Sequence, residues 1–323
     1  MAVAQRVDVD LFERQGYLIV EDVLDPKEDL DPVVAEYEDV LDRLAAKWVA
    51  EGRISSTHCD LPFPKRFAAI LNEAGPDAKM MSFFDIALPF AGVTEETPIH
   101  LGPEVFRLLT NPRLLDVVEQ FVGGEIYSNP IQHTRIKPPE RDVPEELRGN
   151  SLLARTDWHQ DRGVHLPEAD QTQMLTVWLP VTDATEENGC LCCIPGSHRE
   201  GLVTHCTTNG LGIPDELLGG APKPLPIKRG GVLFFHHLTK HASLTNNSDG
   251  IRWSFDLRYH PIGQPTGRPA FPGFVARSRK HPETEVRDWQ VWAQLWRDAR
   301  TRLAAIEDAG KFNRWTGKEP ICA

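Results

Sequence analysis

The hydrophobic period of this chain changes near residue 125, from the spacing of helices to the alternation of strands. Before residue 125, apolar residues recur three and four positions apart, which predicts amphipathic helices at 29–52, 64–74 and 102–121. After it, apolar or alternating runs bounded by turn residues predict strands at 125–137, 174–181, 190–194, 225–235 and 251–260. Because no helices separate these strands, we expect antiparallel sheets.

Two sheets folded over each other as a jelly roll fit this order. In the last predicted strand, 251–260, one face is wholly apolar, and the other carries Arg252, Ser254, Asp256, Arg258 and His260. A polar strand face is usually solvated, but in a jelly roll it can line the inner cavity while the apolar face meets the helices. The expected fold is therefore mainly β, a cupin-like jelly roll with N-terminal and C-terminal helices packed on one sheet.

The connections predict how these elements are organised. A turn at 186–189 would join 174–181 and 190–194 as neighbouring, paired strands. Residues 262–282 are rich in Pro, Gly and Arg and are expected to form a loop, and helical spacing returns at 283–309. We expect one domain over 1–323, with a mostly helical part at 1–122, a jelly-roll core at 123–261, and a loop and C-terminal helix at 262–323.

The acidic composition excludes several classes of partner. The chain of 323 residues has 35 Lys and Arg against 47 Asp and Glu, a formal charge of −12, which argues against a nucleic-acid or anionic membrane surface. No apolar run approaches the roughly 18 residues that span a bilayer, and the N-terminus lacks the apolar segment of a secretory signal. We expect a soluble, cytoplasmic protein without nucleic-acid or membrane partners, whose oligomeric state does not follow from the sequence.

Three of the 6 cysteines cluster at Cys190, Cys192 and Cys193. In a cytoplasmic protein the thiols are expected to be reduced. The cluster could supply soft metal ligands, but it has no second pair of cysteines, and its residues alternate across both faces of a predicted strand. A position in the hydrophobic core is therefore the favoured interpretation.

The run T-D-W-H-Q-D, which ends at residue 161, contains two residue types that bind metals. His159 and Asp161 lie two apart, so in an extended segment both side chains point to the same face. An imidazole and a carboxylate are two of the three ligands in the 2-His-1-carboxylate site of non-heme Fe(II) oxygenases. Alone the pair has low specificity, because a turn with a polar rim would carry the same residues.

A second histidine from a distant strand would complete such a site. His236, His237 and His241 follow an aromatic strand, and His241 shares a face with Ser243. Arg252 comes eleven residues after His241, across a turn. Its guanidinium could hold the far carboxylate of a small dianion whose other end binds the metal. His241 is therefore the favoured third ligand, and His236 is its main rival.

Several runs, in order along the chain, carry a resemblance to a known family. They are F-E-R-Q-G-Y-L-I-V at 12–20, H-Q-D at 159–161, N-G-C-L-C-C-I-P-G-S-H at 188–198, G-G-V-L-F-F-H-H-L-T-K-H-A-S at 230–243, and Arg252. With these runs, residues 10–260 resemble the phytanoyl-CoA dioxygenase (PhyH) family. That family belongs to the Fe(II)- and 2-oxoglutarate-dependent oxygenases, whose fold is the double-stranded β-helix, a jelly roll.

The resemblance implies a role for each matching residue. It gives His159, Asp161 and His241 as the iron ligands. It gives Arg252 as the residue that binds the distal carboxylate of 2-oxoglutarate, with Ser243 donating a hydrogen bond beside it. The implied cofactors are Fe(II), with 2-oxoglutarate and O₂ as cosubstrates.

Trp178 and Gln132 are further candidates for binding the cosubstrate. The resemblance implies an aromatic residue near the cosubstrate at Trp178 and a residue that reaches the cosubstrate at Gln132. Ordinary core or rim positions would explain both residues equally well. Arg268, Arg277, Arg279 and Lys280 lie in the predicted loop, where they could meet an anionic substrate, but a solvated basic loop is the favoured interpretation.

The implied reaction is the oxidation, usually the hydroxylation, of an unactivated C–H bond in a small molecule, with release of succinate and CO₂. Asp161 favours hydroxylation over halogenation, because related halogenases lack this carboxylate. Two other hypotheses stay open. A cupin-like hydrolase or isomerase could use Zn²⁺ to activate water, but it leaves Arg252 and Ser243 unexplained. A non-catalytic jelly roll that binds a small ligand would need no intact set of metal ligands.

Overall fold

A computed structural model of the chain describes residues 5–207, 211–306 and 314–322. Its helices are α1 (Val9–Gln15), α2 (Asp31–Ala50), α3 (Phe63–Ala74), α4 (Pro103–Leu109), α5 (Pro112–Val122), α6 (Asp161–Val164) and α7 (Trp289–Ala304). Its strands are β1 (Tyr17–Val20), β2 (Glu125–Ser128), β3 (His133–Lys137), β4 (Leu175–Pro180), β5 (Leu191–Cys193), β6 (Lys223–Leu225), β7 (Val232–His236), β8 (His241–Ser243), β9 (Arg252–Pro261) and β10 (Phe274–Ser278). Among the helices described, none combines the length and apolar character needed to cross a membrane.

The strands form two antiparallel sheets. The larger sheet has the order β1-β7-β4-β9-β2-β10, and β3 also pairs with β9. The smaller sheet has the order β6-β5-β8. One apolar cluster contains residues from facing sides of both sheets, among them Trp178 and Phe235 from the larger and Leu191 and Leu225 from the smaller. The predicted jelly roll with flanking helices is confirmed.

The helices cover the outer face of the larger sheet. A second, larger core cluster joins Trp253, Phe255, Leu257 and Tyr259 of β9 to residues of α2 to α5 and α7. The Tyr37 hydroxyl of α2, for example, is bonded to Thr134 in β3 at 2.8 Å, and its ring lies 4.9 Å from that of Trp253. The apolar face of β9 therefore meets the helices, and its polar face points into the sandwich, as its alternation predicts.

Three predictions about the strands were wrong. Strands β4 and β5 are not neighbours, because β7 and β9 occupy both edges of β4 and leave none for β5. The predicted strand 225–235 is not one strand: the turn that Arg229-Gly230-Gly231 predicts is present at Gly230 (φ +92°), and it separates β6 and β7, which lie in different sheets. The expected loop 262–282 contains β10, which pairs with β2 at the edge of the larger sheet.

The prediction of reduced thiols was wrong for Cys206 and Cys322, which form a disulfide with their Cα atoms 5.4 Å apart. They lie 116 residues apart in the sequence, but the C-terminal segment folds back so that Trp315 stacks on His205, with ring centroids 5.2 Å apart. Since disulfides are rare in cytosolic proteins, the cytoplasmic location stays a prediction.

The clustered cysteines are buried in the core rather than arranged as metal ligands. Cys190 and Cys193 belong to the cluster between the sheets. Burial raises the pKa of the Cys192 thiol to about 11 and that of Cys193 to about 12. Among the residues that the structure describes, the one group arranged to hold a metal ion is His159, Asp161 and His241.

Candidate active site

His159 and His241 are brought together by the backbone of the smaller sheet. Each residue donates its amide N–H to the carbonyl oxygen of the other, at 2.9 Å, in an isolated antiparallel bridge that continues the edge of β8. The two imidazole rings lie 4.2 Å apart between centroids. This pairing places a histidine that follows β7 beside one that precedes α6, a long-range contact that the spacing of the sequence does not reveal.

Gln160 keeps the two flanking side chains on the same side of the backbone. Its amide donates hydrogen bonds to the carbonyl oxygens of Gly201 and Leu238, both at 2.7 Å, in the opposite direction from the cavity. The fully buried Asp161 then begins α6. The alternation expected for His159 and Asp161 therefore holds, although the segment continues into a helical turn rather than a strand.

The Asp161 carboxylate lies close to the two histidines and accepts hydrogen bonds from two further side chains. Arg258 in β9 donates to Oδ1, and the Thr176 hydroxyl in β4 donates to Oδ2. Burial opposes ionisation, but the Arg258 guanidinium, together with the hydrogen bond from Thr176, outweighs it and keeps the pKa of Asp161 well below its usual value. Asp161 is therefore an anion whose orientation is fixed by the protein.

Both histidines present the nitrogen that a metal requires. His159 Nδ1 donates to the carbonyl oxygen of Asp157 at 2.8 Å, and His241 Nδ1 donates to that of Thr239 at 2.9 Å. Each Nε2 lies 3.9 Å from a carboxylate oxygen of Asp161. Burial, followed by the adjacent His241, lowers the pKa of His159 to about 3, so this ring is neutral. Two imidazoles whose Nδ1–H groups are held by backbone carbonyl oxygens, together with one carboxylate, fit the facial site of non-heme Fe(II).

A small cavity of about 20 Å³ lies against these three side chains. Its wall includes Trp178 and Phe235 from the larger sheet, and Leu191 and Ala242 from the smaller. Trp178 is buried, and its indole N–H has no hydrogen-bond partner among the residues described. The structure thus places Trp178 in the wall of the cavity, and its role beside the cosubstrate stays a prediction.

Arg252 contacts Trp178 but does not itself line the cavity. It is completely buried, and its guanidinium carbon lies 5.6 Å from the centre of the Trp178 ring. Its Nε donates to the carbonyl oxygen of Gly189 at 3.2 Å and its Nη1 to Ser254 at 2.7 Å. Within the described part of the chain, Nη2 has no partner. Burial lowers the pKa of Arg252 to about 10, so it remains a cation with a spare donor.

Lys137 is a second buried cation at this end, which sequence reasoning missed. It pairs directly with Arg252 across β3 and β9, and its ammonium donates to the hydroxyls of Thr156 at 2.8 Å and Ser243 at 3.0 Å. Burial, followed by the charges of Arg252 and Arg135, lowers the pKa of Lys137 well below its usual value. The signal was its alternate position in H-T-R-I-K, which puts residues 133, 135 and 137 on one face.

Two candidates named from the sequence are outside the cavity. Gln132 shares a face with Thr134, on the helix side of the larger sheet, and its amide donates to the carbonyl oxygen of Ile86 at 3.0 Å. His236 ends β7 beside His198, with ring centroids 5.0 Å apart, and is not in the group arranged to hold a metal. Alternation explains both placements, because an odd shift along a strand moves a side chain to the other face.

The basic residues of 268–280 were expected to form a solvated loop, with contact to an anionic substrate as the alternative, but the three arginines are bonded within the protein. Arg277 in β10 forms ion pairs with Asp116 and Glu119 of α5, and Arg279 pairs with Glu119. Arg268 is buried and donates to the carbonyl oxygen of Val164 at 2.6 Å. These guanidinium groups therefore support the fold around the site rather than offering an open basic surface.

Comparisons with known proteins agree with this geometry. The phytanoyl-CoA dioxygenase (PhyH) family model matches residues 12–254. A Danio rerio relative, phytanoyl-CoA dioxygenase domain-containing protein 1, is 25% identical over 267 residues, 78% of this chain and 88% of that protein. The peroxisomal phytanoyl-CoA dioxygenase of Bos taurus is 30% identical over 166 residues, 48% of this chain. A solved structure of a non-heme monooxygenase, ThoJ in its apo form, has a TM-score of 0.60 at 19% identity, covering 91% of this chain and 95% of that one.

These similarities differ in what they establish. The chain spans about half the length of the bovine relative, 46%, and the similarity to the solved structure supports the fold alone. The family match is broader, because residues 12–254 include the three metal-ligand candidates and both buried cations. The chain therefore belongs to the phytanoyl-CoA dioxygenase family of Fe(II)- and 2-oxoglutarate-dependent oxygenases.

Proposed function

We propose that this protein hydroxylates an unactivated C–H bond of a small molecule, with His159, Asp161 and His241 as the ligands of Fe(II). Bound Fe(II), 2-oxoglutarate and O₂ would supply the oxidising chemistry, and succinate and CO₂ would be released. The protein's part is to hold the reactants. Arg258 and Thr176 orient the Asp161 carboxylate, and the histidine tautomers are fixed by backbone carbonyl oxygens.

We assign the distal carboxylate of 2-oxoglutarate to Arg252, Lys137 and Ser243. The observation that carries this assignment is the unpartnered Nη2 of the fully buried Arg252, beside a second buried cation. A buried guanidinium donor without a partner is costly, and a carboxylate is the acceptor that fits it. Ser243 already accepts from Lys137, so its hydroxyl hydrogen is available to the same carboxylate. Trp178 would pack against the chain of the cosubstrate.

The alternative hypotheses use less of this arrangement. A zinc hydrolase would need the three metal ligands and a water, but it has no role for the two buried cations Arg252 and Lys137. A non-catalytic binding module has no need of an anionic Asp161 beside two histidines. Because Asp161 supplies the carboxylate ligand, we favour hydroxylation over halogenation. The substrate we propose is a small organic molecule, consistent with the acidic charge of −12.

An anaerobic visible spectrum tests this function directly. We expect a weak metal-to-ligand absorption band when the apoprotein receives both Fe(II) and 2-oxoglutarate, and no band with either alone. The His241→Ala variant should give no band, because one metal ligand is missing. His236→Ala is the matched control, since it removes the rival histidine and should leave the band unchanged. If iron binds but no band develops with 2-oxoglutarate, the cosubstrate assignment is wrong, and hydrolase assays with Zn²⁺ become the next step.

A further inference from the structure

A second cavity, of about 280 Å³, adjoins the cavity of the metal site. Its wall includes Leu88, Pro89 and Phe90 from the segment before α4, and Leu152 from the segment after β3. Arg135 in β3 lines both cavities and so lies between them. This volume is close to the lower limit of typical small-molecule pockets, about 300 Å³. A small organic molecule held here would have one end directed at the metal site.

The ionic groups that line the second cavity are already paired. Asp85 accepts from the amides of Ile86 and Thr134 at 2.9 and 3.0 Å, and from His133 Nδ1 at 2.9 Å. Arg135 forms an ion pair with Asp256 and donates to the carbonyl oxygen of Ser151 at 2.7 Å. Among the described side chains of this wall, no charged group is therefore unpaired, which favours a neutral ligand.

One acceptor in the wall of the metal cavity, paired with Arg135 through its other oxygen, has no partner among the described residues. Asp256 lies on the inner face of β9 and lines the metal cavity. Its Oδ2 accepts from Arg135, but its buried Oδ1 accepts no hydrogen bond from any residue that the structure describes. Buried carboxylate oxygens are nearly always bonded, and a carboxylate can only accept. The missing partner must therefore be a donor, such as a hydroxyl group.

We propose that the second cavity is the substrate site and that the substrate is a neutral molecule with an apolar body and a hydroxyl group. That this molecule is the substrate rests on the oxygenase function proposed above, whereas its binding requires neither iron nor turnover. The apolar body packs against Leu88, Phe90 and Leu152 in the second cavity. The hydroxyl group extends past Arg135 into the metal cavity, where it donates to Asp256 Oδ1. The ion pair with Arg135 fixes the orientation of that oxygen and makes Asp256 the residue that determines specificity.

Two probes with the same apolar body test the donor requirement. Cinnamyl alcohol and cinnamyl methyl ether are titrated onto the full-length protein, and binding is followed by saturation-transfer difference NMR. The ether cannot donate a hydrogen bond, so we expect the alcohol to bind about ten-fold more tightly. Cinnamate, the anionic analogue, is expected to bind more weakly than the alcohol, because the Arg135 guanidinium is already paired with a carboxylate.

The Asp256→Asn variant replaces the unpaired acceptor oxygen Oδ1 with a hydrogen-bond donor. An asparagine amide has one oxygen, which the Arg135 guanidinium would hold, so the NH₂ group would face the cavity. The preference for the alcohol over the ether should then disappear. Leu88→Ala is the matched control, because it removes apolar contact shared by both probes and should weaken both while leaving their ratio unchanged.

Each outcome decides the matter. The proposal would be overturned if the natural protein bound the alcohol and the ether equally, or if the preference survived in Asp256→Asn. It would also be overturned if cinnamate bound more tightly than the alcohol, or if no probe bound. The iron and 2-oxoglutarate spectrum is recorded on the same preparation. A normal spectrum without alcohol preference refutes only the substrate site, whereas alcohol preference without the spectral band refutes the oxygenase function and leaves a binding site for neutral alcohols.

Discussion

The two ends of the inner cavity bury their charges in opposite ways. At the metal end, the Asp161 anion is matched by Arg258, and both of its oxygens have protein donors. At the far end, Lys137 and Arg252 are neighbours across two strands, and their hydrogen bonds go to hydroxyl and carbonyl oxygens. No carboxylate among the described residues forms an ion pair with either of these two cations.

This difference determines where the protein depends on a ligand. At the metal end the charges are balanced before any metal binds, so the site is formed in advance. At the cationic end no carboxylate compensates the burial of Arg252 and Lys137 until a dianion arrives, and this cost lowers the pKa of both side chains. The pKa directions agree, since the pKa of Asp161 is lowered in spite of burial, whereas burial and mutual repulsion lower that of Lys137. Removing one side chain at each end should therefore have contrasting effects.

The largest effect is expected from Asp161→Ala in metal-free protein. This change leaves the Arg258 guanidinium buried without its counter-ion, and removing one partner of such a pair costs about 3–5 kcal/mol. We expect the free energy of unfolding to fall by that amount in urea titrations with EDTA present, so that loss of metal does not contribute.

A double variant provides the control for this prediction. Asp161→Ala combined with Arg258→Leu removes both charges, and most of the lost stability should return, because no buried charge is left unpaired. If the free energy of unfolding of Asp161→Ala lies within about 1 kcal/mol of that of the natural protein, Arg258 does not depend on Asp161 as its counter-ion.

An intermediate effect, confined to the ligand-bound state, is expected from Arg252→Met at the other end. Removing a buried cation offsets the loss of its two hydrogen bonds, so the stability without ligand should change by no more than about 1 kcal/mol. The natural protein, loaded with Mn(II) to prevent turnover, should gain about 2.7 kcal/mol at 2-oxoglutarate concentrations 100 times the Kd. The variant should lose this gain and still bind the metal, as measured by unfolding with and without 2-oxoglutarate.

Arg277→Met is the matched control for Arg252. Arg277 is also a largely buried arginine on a strand of the larger sheet, but it is paired with Asp116 and Glu119 away from the cavity. Its replacement should lower the stability without ligand and leave the gain from 2-oxoglutarate intact. If both arginine variants behaved alike, the contrast between an unpaired and a paired buried cation would be lost.

The sequence predicted those parts of the fold and site that depend on local pattern. The alternation in 251–260 correctly assigned one face of β9 to the helices and the other to the interior. The same alternation contained the signal for Arg258, six residues after Arg252 on the same face. The change of period near residue 125 separated most helices from most strands, with β1 (Tyr17–Val20) as an exception in the helical part.

What the sequence did not predict depends on contacts between distant segments. The separation of β4 from β5, the edge strand β10 and the disulfide between Cys206 and Cys322 all follow from how the sheets and the C-terminal segment pack. Lys137 was missed for the same reason, because only the pairing of β3 with β9 places it beside Arg252. A lysine in a predicted strand otherwise indicates a solvated face.

The smallest effect is expected from Lys137→Met, and it concerns pH. When the dianion binds, its negative charge raises the pKa of Lys137, which burial holds well below 10.5 in the free protein. The lysine's contribution to 2-oxoglutarate affinity is fully present below the free-protein pKa and is lost as pH rises towards the pKa in the complex. Between these two pKa values, the affinity for 2-oxoglutarate should fall about ten-fold, or about 1.4 kcal/mol, for each unit of pH. Titration calorimetry of the Mn(II) protein, repeated at rising pH below the usual lysine pKa of 10.5, measures this slope, which Lys137→Met should remove. An equal slope in both proteins would place the proton uptake on another group and leave Arg252 as the sole source of the contrast between the two ends.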